Sequence, residues 1–333
     1  MKKFFVAMLL VMAMSGMALA AYPDKNIQGY IMWGAGGAMD NVARAIAPNA
    51  GVALGKTIIL QNKTGATGAI ATTFVSHAPS DGYNILFGAE NPNLYKVTGI
   101  SQIDYDDFTP VMLFMANYGI VLVPKDSPYK DFKSLIEAVK GGKKLRMGST
   151  GPGGLPYVAS SLINSIHKTK FDMVQFDGEG PAITALMGDH IDVVAVGLIS
   201  AASFVNSGAV KGLALIANKR SPSVKQVPAI TEFYPKEYKQ YLPWGAFFGA
   251  FVRKDTPKDI VATLQGAFMK AYKDPKFTEF ANNMGGIKLG LTGAKAVKYI
   301  KQNQSVSAWL LYDSGGAKES PEKFNIPRPG EHK

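Results

Sequence analysis

A chain of 333 residues that is 47% hydrophobic and 18% charged can build about two packed domains and is too apolar for a disordered protein. It contains no cysteine, which excludes disulfide scaffolds, thiolate metal sites, cysteine nucleophiles and lipid attachment through an N-terminal Cys. The formal charge is +11, yet the lysines are spread along the chain and arginine occurs only at Arg44, Arg146, Arg220, Arg253 and Arg328. No basic stripe interleaved with aromatics marks a nucleic-acid surface, so no nucleic-acid partner is expected.

The chain opens with Lys2-Lys3, an apolar run over 4–14 and the small-residue pattern Ala18-Leu19-Ala20. The apolar run is shorter than the roughly 20 residues a bilayer requires. The segment reads as a signal peptide over 1–20, cut after Ala20. Loss of Lys2 and Lys3 with it lowers the formal charge from +11 to +9.

Beyond it, strands are predicted at 28–32, 57–61 and 84–88, with helices at 38–53, which contains Pro48, and 68–78. This βαβ order predicts a parallel sheet covered by helices. The pattern then restarts. Asp131 caps a helix with Leu135, Ile136 and Val139 on one face, stopped by Gly141-Gly142. Strands follow at 145–149, 173–176, 192–196 and 212–216. Helices lie at 155–167 and from Pro181, as first helical residue, to Gly188. Thr256-Pro257-Lys258-Asp259 starts a helix with the stripe Ile260, Val261, Leu264, Phe268 and Tyr272. A last helix follows Thr292, with Val297, Ile300, Trp309 and Leu310 facing inward, and the tail over 321–333 reads as extended.

Two apolar β-like runs, 119–124 and 246–252, are each followed by a Pro/Asp-rich turn. Taken as crossing strands, they divide the mature chain into lobe one, 22–122 plus 247–333, and lobe two, 123–246. The predicted fold is α/β and two-lobed, each lobe a mostly parallel sheet flanked by helices, hinged on two crossing strands.

Glycine-rich turns carry the binding chemistry. Trp33-Gly34-Ala35-Gly36-Gly37-Ala38-Met39-Asp40 joins a strand to a helix. Glycines let a ligand approach the backbone, and the first helical N–H groups lack internal partners and carry partial positive charge, which suits a carboxylate or phosphate. Gly148-Ser149-Thr150-Gly151-Pro152-Gly153-Gly154 repeats that context in lobe two. Two such turns facing across one cleft would hold the ends of an elongated dianion; the alternative is that both are ordinary tight βα turns. A Cβ at Gly37 is expected to block ligand approach. Thr67 and Gly68, in another Gly-rich turn, could line the same cleft. Asp177 and Glu179 could bind a cation or a ligand hydroxyl, or be solvated acids at a helix start. The candidate ligand-binding residues are Trp33, Gly36, Gly37, Ala38, Met39, Asp40, Thr67, Gly68, Ser149, Thr150, Gly151, Gly153, Gly154, Tyr157, Asp177, Glu179, Gly197 and Leu198. Trp33 supplies an apolar wall and Ser149, Thr150 and Tyr157 supply hydroxyls.

Enzyme motifs fail. The P-loop-like stretch over 51–57 is one residue short and precedes a strand, and no G-x-S-x-G elbow occurs. His77, His167, His190 and His332 stand outside metal or catalytic patterns. No catalytic residue, metal or cofactor is expected. The rival reading is a secreted two-lobed enzyme acting on a small anionic substrate.

In order and spacing, Tyr22-Pro23-Asp24-Lys25, the turn ending at Asp40, Asn62-Lys63-Thr64-Gly65-Ala66-Thr67-Gly68, Pro79-Ser80-Asp81-Gly82-Tyr83, Gly151-Pro152-Gly153-Gly154 and the Thr256-Pro257 helix form one set. With this set the mature chain resembles the extracytoplasmic solute-binding receptors of tripartite tricarboxylate transporters, the Bug family. The resemblance implies a monomeric periplasmic binding protein that closes like a flytrap on a small organic acid. It further implies delivery to a large and a small membrane subunit. Trp33 stands where the family usually has Phe, Met32 where it has Pro, and Tyr157 where it often has His. These departures surround the cleft and leave room for a ligand other than a citrate-like acid.

Overall fold

The computed structural model describes residues 22–239, 241–242 and 244–329, so the expected signal peptide lies outside the described residues. The first elements are β1 (Ile27–Ile31), α1 (Ala38–Leu54), β2 (Ile58–Asn62), α2 (Ala69–His77) and β3 (Asn84–Ala89). Val42, Ala43, Ile46 and Ala47 form the fully buried face of α1. Gly55, at φ +66°, ends that helix in a left-handed cap. Then come α3 (Tyr95–Thr98), β4 (Phe108–Ala116), β5 (Gly119–Pro124), α4 (Phe132–Lys140) and β6 (Arg146–Ser149). Asp131 caps α4 as expected, its carboxylate accepting the Ser134 amide at 2.8 Å. The second half holds α5 (Leu155–His167), β7 (Asp172–Gln175), α6 (Glu179–Met187), β8 (Val193–Gly197), α7 (Leu198–Asn206), β9 (Val210–Ile216) and α8 (Pro235–Lys239). It closes with β10 (Phe247–Arg253), α9 (Lys258–Lys273), α10 (Pro275–Met284), β11 (Ile287–Leu291) and α11 (Gly293–Asp313).

The strands form two sheets, ordered β11-β4-β10-β3-β1-β2 and β7-β6-β8-β5-β9. The result is the predicted two-lobed α/β fold. The expected parallel pairing is present at β2-β1-β3 and β7-β6-β8. Antiparallel pairs at β5, β10 and β11 make both sheets mixed, although most strands of each run in one direction. The reason is topological: β5 and β10 each enter from the opposite sheet instead of following a helical crossover. In β5, Ile120 and Leu122 pack in one cluster and Val121 and Val123 in the other, the period-two alternation of a strand buried on both faces.

The outgoing crossing is displaced from its predicted place. β5 pairs with β9 from Gly119 to Pro124 and therefore lies wholly in the second sheet. The chain passes between sheets at Asn117 and Tyr118, not near 122. Trp244 has already returned, because its indole donates to Ser307 Oγ on α11 at 3.2 Å. The crossings touch: the Asn117 amide donates to the Ala246 carbonyl at 2.9 Å.

Three further expectations change. α6 starts at Glu179, so Pro181 is its third residue. Val297 is 44% exposed because the buried face of α11 runs through Ala296, Ile300, Ser307 and Leu311. The tail turns at Pro321–Phe324, and the Ile326 carbonyl accepts the Trp309 indole at 3.0 Å.

Candidate ligand-binding cleft

The turn after β1 and the start of α6 come from different lobes and touch. An ideal Cβ on Gly180 would sit 2.7 Å from the Ala35 carbonyl oxygen, and one on Gly34 would sit 3.3 Å from that of Asp177. Asn91 Nδ2 donates to the Gly153 carbonyl at 2.8 Å, and Thr67 Oγ1 reaches the Thr150 carbonyl at 3.5 Å. The lobes are therefore closed on each other.

Between them lies an inner chamber of about 340 Å³ of non-atom space. Trp33, Gly37, Ala38, Met39, Ala89, Glu90, Ala246 and Phe248 line it from the first lobe, with Thr150, Leu155, Pro156 and Glu179 from the second. A wider outer cleft, about 1200 Å³, shares Trp33 and Thr150 and adds Gly65, Ala66, Thr67, Gly151, Gln175 and Asp177 among others. Trp33 and Thr150 thus stand between chamber and mouth. The Trp33 indole is fixed by donating to Asn91 Oδ1 at 3.0 Å.

Of the sequence-predicted residues, Trp33, Gly37, Ala38, Met39, Thr150 and Glu179 meet in the chamber, and Thr67, Gly151 and Asp177 reach the outer cleft. The others line neither. The Asp40 carboxylate accepts from the Gly36 amide at 3.0 Å, Arg44 Nε at 2.9 Å and Asn62 Nδ2 at 2.9 Å. Burial acts to raise its pKa, but these hydrogen bonds outweigh burial and hold it below the usual carboxylate value. Asp40 therefore braces the turn. Gly36 has φ +77°, a glycine conformation, and lies on the exposed outside. Gly37 has φ −76° and ψ 169°, open to any residue, and a Cβ there would approach only the Gly34 carbonyl, at 3.3 Å. Its glycine identity is not what opens the turn to a ligand. Gly68 packs on Met32 and Tyr95. Ser149 is fully buried behind Thr150. Gly153 accepts from Asn91, Gly154 is the N-cap of α5, and Tyr157 reaches the Gly316 carbonyl at 3.4 Å. Gly197 and Leu198 use their amides on Glu179 and the Tyr118 carbonyl, both at 2.8 Å.

The electrostatics differ from the predicted amide-lined seat for a dianion. Glu179 accepts from the Gly197 amide at 2.8 Å, from Ser200 Oγ at 2.5 Å and from the Ala38 amide. The first amide of α1 in one lobe and the N-terminal end of α7 in the other thus converge on the protein's own carboxylate. Glu179 is half-buried as a residue, but protein surrounds its carboxyl, and burial raises its pKa despite those hydrogen bonds. Glu90 is 5% exposed, and burial, reinforced by the charge of Glu179, pushes its pKa up to about 8. No lysine or arginine lines the chamber.

Sequence reasoning missed Glu90, Ala89, Leu155, Pro156, Ala246 and Phe248. Glu90 had a signal: it directly follows the carboxyl end of parallel strand β3, where open α/β sheets collect ligands.

The family model described as tripartite tricarboxylate transporter family receptor matches residues 42–309. A UPF0065 protein from the tcbD-tcbE intergenic region of Pseudomonas sp. strain P51 is 27% identical over 271 residues, 80% of either chain. The solved structure of the periplasmic binding protein BugD is 26% identical and superposes with a TM-score of 0.84, covering 90% of this chain and 100% of that one. MatC from Rhodopseudomonas palustris, with bound malate, is also 26% identical, with a TM-score of 0.78 over 88% of this chain and 100% of that one. Among the described residues no helix is long and apolar enough to cross a membrane. A match over most of the chain, with the two-lobed fold and closed cleft expected of its members, makes this chain a member of the tripartite tricarboxylate transporter receptor family.

Proposed function

We propose that the chain is a periplasmic receptor that captures a small organic acid between its lobes and delivers it to the large and small membrane subunits of a tripartite transporter. It performs no chemistry on the acid. The observation that carries this reading is the closed chamber built from both lobes. A ligand there touches both halves at once, so its binding energy favours the closed state. The malate held by MatC supports an acid of similar size. The pivots are Asn117 with Tyr118 and Trp244 with Gly245, which places lobe one near 22–117 plus 245–329 and lobe two between. Thr150, Met39 and the first-turn amides of α5 are the groups that meet the ligand's acid end, with Trp33 as the wall toward solvent.

The test is calorimetry and thermal denaturation of the chain from Ala21 onward, against mono- and dicarboxylates and amino acids of two to six carbons. Chromatography of each mixture follows. Tight binding with unchanged ligand supports the receptor; conversion of any acid would replace it with an enzyme.

A further inference from the structure

We propose that the acid taken by this chamber also carries a protonated nitrogen, lodged between Glu90 and Glu179. The inference rests on the receptor reading above and narrows its ligand class. The two carboxyl side chains come from opposite lobes, Glu90 directly after β3 and Glu179 at the start of α6, and both line the chamber. They are close enough for the charge of one to act on the other. No lysine or arginine lines the chamber or figures among the charges acting on either glutamate. The other titratable groups influenced by Glu90 are the phenols of Tyr95, Tyr105 and Tyr299, which bring no positive charge.

A second observation points to a missing occupant. Glu90 Oε2 has no hydrogen-bond partner although the residue is 5% exposed, and Thr150 Oγ1, also on a residue 5% exposed, has none either. Both residues line the chamber. Buried polar atoms are normally paired, and buried carboxylates normally have a counter-charge. A dianion would add two negative charges to a chamber that already holds two carboxyl groups. An ammonium supplies the missing donors, and supplies the counter-charge once Glu90 gives up its proton. The ligand's carboxylate then faces the first turn of α5, whose Leu155 forms part of the chamber wall; Pro156 brings no N–H, so the Leu155 and Tyr157 amides, which precede the first helical bond from Val158 to Gly154, are the donors there.

Matched ligands test this on the mature protein. Succinate, glutarate and adipate are compared by calorimetry with β-alanine, 4-aminobutyrate and 6-aminohexanoate, and with aspartate and glutamate, at pH 6 and pH 8.5. We expect an amino-bearing acid to bind at least tenfold tighter than the dicarboxylate of the same length. Its affinity should rise between pH 6 and pH 8.5, because the ammonium must displace the proton held by Glu90. Glu90→Gln and Glu179→Gln, checked for folding by circular dichroism, should each lose that preference. Preferential binding of a dicarboxylate, with affinity falling as pH rises, overturns the nitrogen assignment and leaves the receptor reading standing. Binding of no panel member at millimolar concentration overturns both.

Discussion

Asn91 bonds to both sides of the cleft: Nδ2 donates to the Gly153 carbonyl of the second lobe at 2.8 Å, while Oδ1 accepts the Trp33 indole of its own lobe at 3.0 Å. The side chain is fully buried. One residue therefore clasps the cleft and positions the wall between chamber and mouth. Asn91→Ala removes these two hydrogen bonds and a third, from Nδ2 to Glu90 Oε1 at 3.3 Å, and leaves their partners unsatisfied in the closed state, at about 1–2 kcal/mol. Ligand affinity should fall about tenfold, and small-angle scattering should show a larger radius of gyration without ligand. Unchanged affinity and radius would deny Asn91 the role of clasp.

Gly180 separates closure from folding. It lies in α6, where alanine is the better helix former by roughly 1 kcal/mol. Only the closed molecule brings the Ala35 carbonyl within 2.7 Å of its Cβ position, and backbone cannot move aside cheaply. Gly180→Ala should thus keep or raise the Tm of the ligand-free protein while weakening ligand binding tenfold or more. A variant that binds like the wild type would show that the turn around Ala35 yields.

Gly245 makes the opposite case. A Cβ there would overlap the Asn117 carbonyl oxygen, at the point where both crossing segments run side by side. The clash is present whenever the crossings are paired. Gly245→Ala should cost several kcal/mol of stability, on the scale of severe overpacking, and appear as a large drop in the urea midpoint. A midpoint within experimental error of the wild type would mean that the hinge does not hold these segments together.

Local patterns and the parallel βαβ pairings were legible; the antiparallel insertions were not. The Asp131 cap, the buried stripe of Val261, Leu264 and Phe268, and the span of α5 follow from side-chain spacing within one element. β4 lacked a signal because it is buried on both faces, so no alternation survives, and Pro110 interrupts it. β11 is short and half-exposed, with Gly290 inside. The crossing was misplaced because Ile120 and Val121 look alike in sequence whichever sheet they join; only their partners on β8 and β9 decide. The turns of the cleft could be read from glycine and helix starts. Their electrostatics could not, because Glu179 fills the amide seat at Ala38 from 141 positions away, and Glu90 becomes unusual only once the fold buries it near Glu179.

His167 gives the second lobe a pH response. It is 4% exposed, its Nε2 lies 3.0 Å from the Tyr238 hydroxyl, and burial lowers its pKa to about 4, with Lys140 adding to the effect. The folded state keeps the ring neutral while the unfolded chain protonates it near pH 6.5. Stability from this residue is complete above pH 6.5 and is lost as pH falls toward 4, by on the order of 2 kcal/mol. Thermal denaturation should show Tm falling across that window, and His167→Gln should flatten the fall. An equal slope in both proteins would place the effect elsewhere.

Glu90 titrates with the opposite sign. Its carboxyl is buried and its pKa is pushed up to about 8, against about 4.5 in the unfolded chain. Between those values the folded protein holds a proton that the unfolded chain has released, so ligand-free stability is complete below pH 4.5 and declines as pH rises to 8. Glu90→Gln keeps the neutral shape and removes the titration. The variant should match the wild type at pH 4.5 and exceed it at pH 8.5 by about 2–4 kcal/mol, several degrees in Tm. Because the His167 effect runs the other way, the difference between wild type and variant, rather than either profile alone, isolates Glu90. Two superimposable profiles would mean that Glu90 meets water in solution, and hence that the ligand-free cleft stands open there.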